Sequence, residues 1–330
     1  MSFYLQNILS LSEKQKIVTH CPITTTKGIK LVDTGVTISS ALYDKLMQHH
    51  LLPELDECLQ LEQSVTTSDL VNGIKALLEV GNFKYLLPAT EARQRVLDIF
   101  LKLPLNPVIA FKLTVAREQM PTVFQHSLEV ALCAAVLALL RPAATDKKIC
   151  EAAAAGLLHD IGLLHLEPGI LQTTTPLSEL QHQHIYSHPV LGHVMLSRFA
   201  EWHPLVSTAV LEHHERLDAS GYPKGIDHSR ISELGQLLAV AELAATLFAR
   251  KHVIPLGDYI HVILRMNHGK FNPELSDILI RIAMQPAAQE AHSGNSNHSF
   301  SEILDNLVFL SMAIQNWFSL SQHFGELPVV

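Results

Sequence analysis

From residue 126 onward this chain carries seven side chains of metal-ligating type: His126, His159, Asp160, His188, His213, His214 and Glu242. His159 and Asp160 are adjacent and close an apolar run, Ala152–Leu158, while His213 and His214 close another. The intervals from His126 to His159, His188, His213 and Glu242 are 33, 29, 25 and 29 residues in turn, each about one helix and its return. Such spacing lets successive helices of a bundle aim one ligand each at a shared centre. Imidazole beside carboxylate suits iron, manganese or zinc, since the ring can hold one ion while the carboxylate bridges to a second. Two ions about 3.5–4 Å apart can hold a phosphoryl oxygen and activate water at neutral pH, the arrangement of phosphoester hydrolysis.

The plainer reading has a different weight at each position. A histidine standing alone, such as His126 or His188, is more often structural, and 20 histidines make chance spacings common. His159-Asp160 weighs more, because an ionisable pair at the end of an apolar helix costs free energy unless it is paired or metal-bound. Glu242, inside the apolar stretch Leu237–Leu247, makes the same point, although it can also face solvent. His165, His182, His184, His193 and His203 fit no pattern and are read as bystanders.

The elements that must carry these residues are helices. Hydropathy periods and breaks predict helices over 122–140, 146–158, 178–187, 189–199, 204–214, 232–250, 256–266 and 273–284, separated by Gly and Pro punctuation. The ligand-bearing unit spans about 106–288. Residues 1–105 are expected to form a small α+β unit of regulatory or packing role. It holds a strand over 29–36, a helix from about 40 to 49 capped by Thr37, Ser39 or Ser40, and helices over 64–79 and 89–103. Residues 289–330 are read as a small-residue linker followed by a terminal helix over 300–322.

Bulk properties set limits. A net charge of −8 gives no global basic field, so DNA is not an expected partner and an anionic ligand needs local cations or ions. The four cysteines lack zinc-knuckle or redox spacing and are expected as reduced thiols. The first residues show no signal-peptide pattern, and the longest apolar run, Val130–Leu140, has 11 residues where a membrane helix needs about 20. The expectation is a cytoplasmic protein without a membrane span.

Five segments carry a resemblance: AGLLHDIG at 155–162, SHPVLG at 187–192, LEHHERLDASGYPKG at 211–225, LLAVAEL at 237–243 and FNPELSDILIRI at 271–282. Together, over residues 121–285, they resemble the HD-GYP family of bacterial phosphodiesterases. The resemblance implies an all-α HD-type domain that hydrolyses cyclic di-GMP with two divalent ions, iron or manganese. By position it implies that His126, His159, Asp160 and Glu242 hold one ion. Asp160, as bridge, would hold the other with His188, His213 and His214. His159 and Asp160 would be the catalytic pair, with Gly221, Tyr222 and Pro223 shaping the ligand site beside them. A cyclic dinucleotide is the implied substrate or ligand, and a signalling protein or a second copy of the chain the protein partners left open.

Departures from the family pattern concern mostly phosphate binding. Leu163 stands where the family usually has lysine, Gln236 where it has arginine, and only Arg250 and Lys251 remain of a downstream basic segment. Glu242 replaces an aspartate, Ala219 replaces a glycine, and Thr122 replaces the glutamate of three-metal members, which argues for two ions. Two further readings therefore stand beside the enzyme: a catalytically degenerate module that binds metal and nucleotide, and a phosphohydrolase of another nucleotide.

Overall fold

The computed structural model describes residues 3–12, 15–61, 63–166, 170, 178–202, 204–250 and 255–285. The N-terminal part opens with α1 (Phe3–Ser12), followed by β1 (Ile17–Thr19), β2 (Ile23–Thr25), β3 (Lys30–Val32), α2 (Ser40–Leu46), β4 (Leu51–Leu52) and β5 (Leu59–Leu61). β1 pairs antiparallel with β5, and β2 lies between β3 and β4, also antiparallel. α3 (Thr67–Leu77) and α4 (Thr90–Leu101) complete this part. Its mixed α+β character agrees with expectation, as does the cap of α2, where Ser39 accepts from the Leu42 amide. α3 starts later than its hydropathy suggests because Thr66 and Asp69 cap each other's backbone.

The helical body consists of α5 (Pro107–Gln119), α6 (Pro121–Leu139), α7 (Asp146–Leu158), α8 (Glu179–Tyr186), α9 (His188–Leu196), α10 (Pro204–Glu212), α11 (Glu233–Phe248), α12 (Leu256–Met266) and α13 (Pro273–Ala283). α6 packs along α7 and α11, and α10 packs against α9, α11 and α7. Apolar faces of both parts merge into one continuous core, from Tyr4 and Ile17 through Phe111 and Leu132 to Leu238 and Leu279. Polar ties cross between them as well. The Val65 amide donates to Thr114 Oγ1 at 2.8 Å, and Asn82 Nδ2 donates to the carbonyls of Phe248 (3.2 Å) and Arg250 (2.8 Å).

Two helices go beyond the spans that periodicity predicts. α5 is buried on every side from Val108 to Ala116, so its sequence shows no polar face and hence no helical period. Its signal is the start, where Asn106 accepts from the Ile109 amide and Pro107 takes the first helical position. α1 docks on α5, with Lys112 Nζ 4.7 Å from the Tyr4 ring centre. The strand expected over 29–36 shrinks to Lys30–Val32. α6, 19 residues long, is the one helix among the described residues long and apolar enough to cross a membrane, although His126 and Glu129 interrupt its apolar run and most of it is buried here. The expected linker and terminal helix over 289–330 lie outside the described residues.

Candidate metal centre

Each ligand-type side chain sits where its element ends or crosses its neighbours. His126 lies in the second turn of α6 and Glu242 midway along α11. His159 caps the C-terminal end of α7, with Asp160 next in the chain. His188 follows the end of α8, and His213 and His214 follow the end of α10. At a helix C-terminus the last carbonyls lack backbone donors. Three of the histidines use this: Nδ1 of His159, His188 and His213 donates to the carbonyl three residues back, on Gly156 (2.8 Å), Ile185 (2.6 Å) and Val210 (2.6 Å). With hydrogen on Nδ1, each ring turns an Nε2 lone pair toward the centre. His126 is not at a helix end, and its Nδ1 instead faces Glu129 Oε2 at 3.8 Å, while Glu129 Oε1 accepts from Gln125 Nε2 at 3.1 Å.

The Nε2 atoms converge on two carboxylates. Glu242 lies 3.0–3.1 Å from His126 Nε2 and 3.1 Å from His159 Nε2. Asp160 stands between two rings, with Oδ2 3.3 Å from His159 Nε2 and Oδ1 3.2 Å from His188 Nε2. His188 Nε2 and His213 Nε2 face one another at 3.2 Å. The His214 ring centre lies 4.0 Å from that of His213 and 5.1 Å from that of His188. Two ligand groups result, His126–His159–Asp160 and His188–His213–His214, each with its ligand atoms within 4.8 Å of one another. Glu242 lies beside the first group and Asp160 borders the second, so all seven sequence-predicted residues meet in one place.

The electrostatics of this place call for cations. Burial disfavours charge on His126, but Glu129 and Glu242 outweigh it and raise the ring to about 9. His159 is likewise raised well above the usual histidine range, against its burial, by Asp160 and Glu242. Burial would raise the two carboxyls, yet the facing histidines hold Asp160 and Glu242 well below their usual range. His213 is lowered to about 3 and His214 well below normal, both by burial first and by neighbouring cationic groups second. The buried His159 Nε2 meets only the carboxylates of Glu242 (3.1 Å) and Asp160 (3.3 Å), outside good hydrogen-bond geometry, and the Nε2 atoms of His188 and His213 repel if both rings carry hydrogen on Nδ1. A divalent ion in each group would satisfy these nitrogens and both carboxylates, so the residues fit a metal centre.

Close packing holds the two groups together. A Cβ on Gly162 would lie 2.1 Å from the His188 carbonyl oxygen, so only glycine lets the Asp160 turn touch the start of α9. Gly221 is similar, since a Cβ there would sit 2.4 Å from Glu215 Cα and the His214 carbonyl. That contact presses the Gly221–Pro223 loop onto the second group. The Tyr222 amide donates to the His214 carbonyl at 3.1 Å, and its ring stacks on His214 at 4.5 Å. Tyr186 packs on Tyr222 at 4.3 Å. Burial raises both phenols, Tyr186 to about 12, so both remain hydrogen-bond donors near neutral pH.

Several supporting residues lie outside the set that the sequence pattern picks out. Buried Glu215 accepts from the amides of Lys224 (2.7 Å) and Ile226 (3.1 Å), fixing the loop from behind. Arg216 Nη1 donates to the carbonyls of His213 (3.1 Å) and Glu215 (2.8 Å). The adjacency of Glu215 and Arg216 to the His pair is their available signal. Glu129 has one too, three residues after His126 on one helix face. Tyr186 has none beyond being an aromatic two residues from His188. The bystander reading of His193 is consistent with its Nδ1 donating to the Ser207 carbonyl at 2.9 Å. Arg250 is exposed just past α11, two turns beyond Glu242, and Lys251 lies outside the described residues.

The family described as HD domain matches residues 105–274, more than half of the chain. A cyclic di-GMP phosphodiesterase of Pseudomonas aeruginosa is 33% identical over 155 residues, covering 46% of this chain and 37% of that protein. The 3'3'-cGAMP-specific phosphodiesterase 3 of Vibrio cholerae is 26% identical over 252 residues, covering 72% of this chain and 54% of that protein. The chain thus spans between a third and about half the length of these relatives. An HDG"Y"P protein from Bdellovibrio bacteriovorus aligns with a TM-score of 0.44 and 14% identity over 81% of this chain and 94% of its own, too loose a likeness to carry weight. Taken with the His159-Asp160 pair and the Gly221–Pro223 loop, the match establishes that the chain belongs to the HD domain family, as an HD-GYP member.

Proposed function

We propose that the protein is a metal-dependent phosphodiesterase that hydrolyses cyclic di-GMP or a related cyclic dinucleotide. The observation that carries this reading is Asp160, whose two oxygens face His159 and His188, one from each ligand group. His126, His159, Asp160 and Glu242 would hold one divalent ion, and Asp160, His188, His213 and His214 a second; the donor set suits iron, manganese or zinc, and the family resemblance favours iron or manganese. When bound, such a pair supplies neutralisation of phosphate charge and activation of water. The chain's own residues then have three tasks. The backbone carbonyls of Gly156, Ile185 and Val210 fix the imidazoles, and Tyr222 buttresses His214. The Gly221–Pro223 loop shapes the space beside them, and Arg250 and Lys251 offer cations for the ligand's second phosphate. A cytoplasmic location belongs to the same reading. So does a sensing or packing role for residues 1–105, with a signalling protein or a second copy of the chain as partner.

One specific observation favours the second reading, a module that binds metal and nucleotide without turnover. Leu163 is buried among apolar side chains, and the Gln236 amide is committed to the Ile231 carbonyl (3.0 Å) and Asn272 Nδ2 (2.8 Å). Neither offers a cation to a phosphate, and charge stabilisation is often the largest catalytic effect. The deciding experiment measures metal content of the purified protein together with hydrolysis of cyclic di-GMP and 3'3'-cGAMP, supplied with Mn²⁺ or, anaerobically, Fe²⁺. We expect turnover that falls at least ~100-fold in Asp160→Ala, the scale of losing one stabilising group. Stoichiometric metal without turnover assigns the module, and full activity in Asp160→Ala overturns the two-metal reading.

A further inference from the structure

Outside the metal centre, the N-terminal sheet brings two thiols together. β1 and β5 pair with Thr19 opposite Leu59, which puts Cys21 just past one strand and Cys58 just before the other. Their sulfurs lie 2.7 Å apart, closer than unbonded sulfurs pack and only somewhat longer than a disulfide of about 2.05 Å. The backbone cannot easily separate them. The His20 amide donates to the Cys58 carbonyl at 2.7 Å, and His20 Nε2 lies 2.7 Å from the Glu57 carbonyl. Cys58 is fully buried and Cys21 partly exposed. One sulfur is therefore reachable by a small oxidant while its neighbour is shielded, the arrangement of an attacking and a resolving cysteine. Cys133 and Cys150 belong to other elements, α6 and α7.

We propose that Cys21 and Cys58 are a reversible dithiol–disulfide pair, oxidised by hydrogen peroxide or an organic hydroperoxide. The Cys21 thiolate attacks a peroxide oxygen; an S–O bond forms, the O–O bond breaks, and the departing oxygen takes a proton and leaves as water or alcohol. Cys58 attacks Cys21 Sγ; the S–S bond forms, the S–O bond breaks, and the departing hydroxide takes the Cys58 proton and leaves as water. Two thiols are oxidised and one peroxide is reduced. A dithiol reductant reverses this by exchange, ending as a disulfide itself. The pair adjoins an anchor of the helical body: Glu54 and Glu57 hold Arg198 at 2.9 and 3.0 Å, two residues past the end of α9, whose first residue is His188. Oxidation would stiffen that anchor.

The full chain, treated with a small excess of hydrogen peroxide, quenched in acid and alkylated with N-ethylmaleimide under denaturing conditions, provides the test. Alkylatable thiols should fall from the four of the sequence by the two of the bridge. A linked Cys21–Cys58 peptide should appear in the digest and vanish after dithiothreitol. Cys21→Ser and Cys58→Ser should each abolish it while Cys133 and Cys150 stay alkylatable. The wild-type digest decides independently of how the variants fold. Cys21 driven to sulfinic or sulfonic acid without the linked peptide, or both thiols intact under conditions that oxidise glutathione, overturns the proposal.

Discussion

His126 is the ligand-type histidine that faces a carboxylate on each ring nitrogen, Glu129 on one side and Glu242 on the other. In ion-free protein that arrangement holds a proton, with the ring at about 9 against an ordinary value of about 6.5. A value raised on folding contributes stability that is fully present below about pH 6.5 and is lost as pH rises through about 9. Ion-free protein should accordingly lose thermal stability between pH 7 and 9.5, while ion-loaded protein, with a cation in place of the proton, should not. Ion binding near neutral pH should also release protons, read by calorimetry in buffers of different ionisation enthalpy; binding without release counts against this account. Leu163 poses the opposite problem, an apolar side chain at 6% exposure where the family pattern has lysine. Leu163→Lys should lower the melting temperature, because an ammonium must leave water or snorkel out of the core. If the missing charge limits catalysis, turnover per folded molecule rises, and unchanged turnover removes that explanation.

At the level of elements, the site depends on how closely one turn can approach the next helix. Gly162→Ala places a Cβ 2.1 Å from the His188 carbonyl, a backbone atom that cannot swing away. We expect a loss of about 1–3 kcal/mol in denaturant unfolding, as for other overpacked sites, together with weaker ion binding; wild-type stability and metal content in this variant would show the contact to be slack. Much of this scaffold is legible in the sequence. α7 and α12 match their expected spans, since Thr145 caps a charged first turn in α7 and α12 has a clear polar face. The ligand set is legible because His159-Asp160 and the His213-His214 pair end apolar helices, where charge demands a reason. What stays hidden lacks contrast. α5 is buried all round, Lys112 and Thr114 included, and the short strands β1, β2, β4 and β5 offer two or three residues each, too few for alternation to register. Glu129, Glu215 and Arg216 act through other residues, a role that spacing does not encode.

For the molecule as a whole, a core that runs without interruption from α1 to α13 means that events at the metal centre are felt globally. Removing ions with a chelator should lower the melting temperature by several degrees, and restoring Mn²⁺ should recover it. An ion present at about 100 times its dissociation constant stabilises by roughly 2.7 kcal/mol. No shift on chelation of protein shown to contain metal would mean the ligand groups are held without the ions. The same core shelters α6, whose 19 residues extend about 28 Å, close to the hydrocarbon thickness of a bilayer at about 30 Å. On a ribosome that segment emerges after α3 and α5, which cover part of it, and before α7 and α11, which cover the rest. The six residues between Leu139 and Asp146 keep α7 close behind. A connection this short makes α7, which packs most extensively on α6, the first of the later helices able to cover that apolar face.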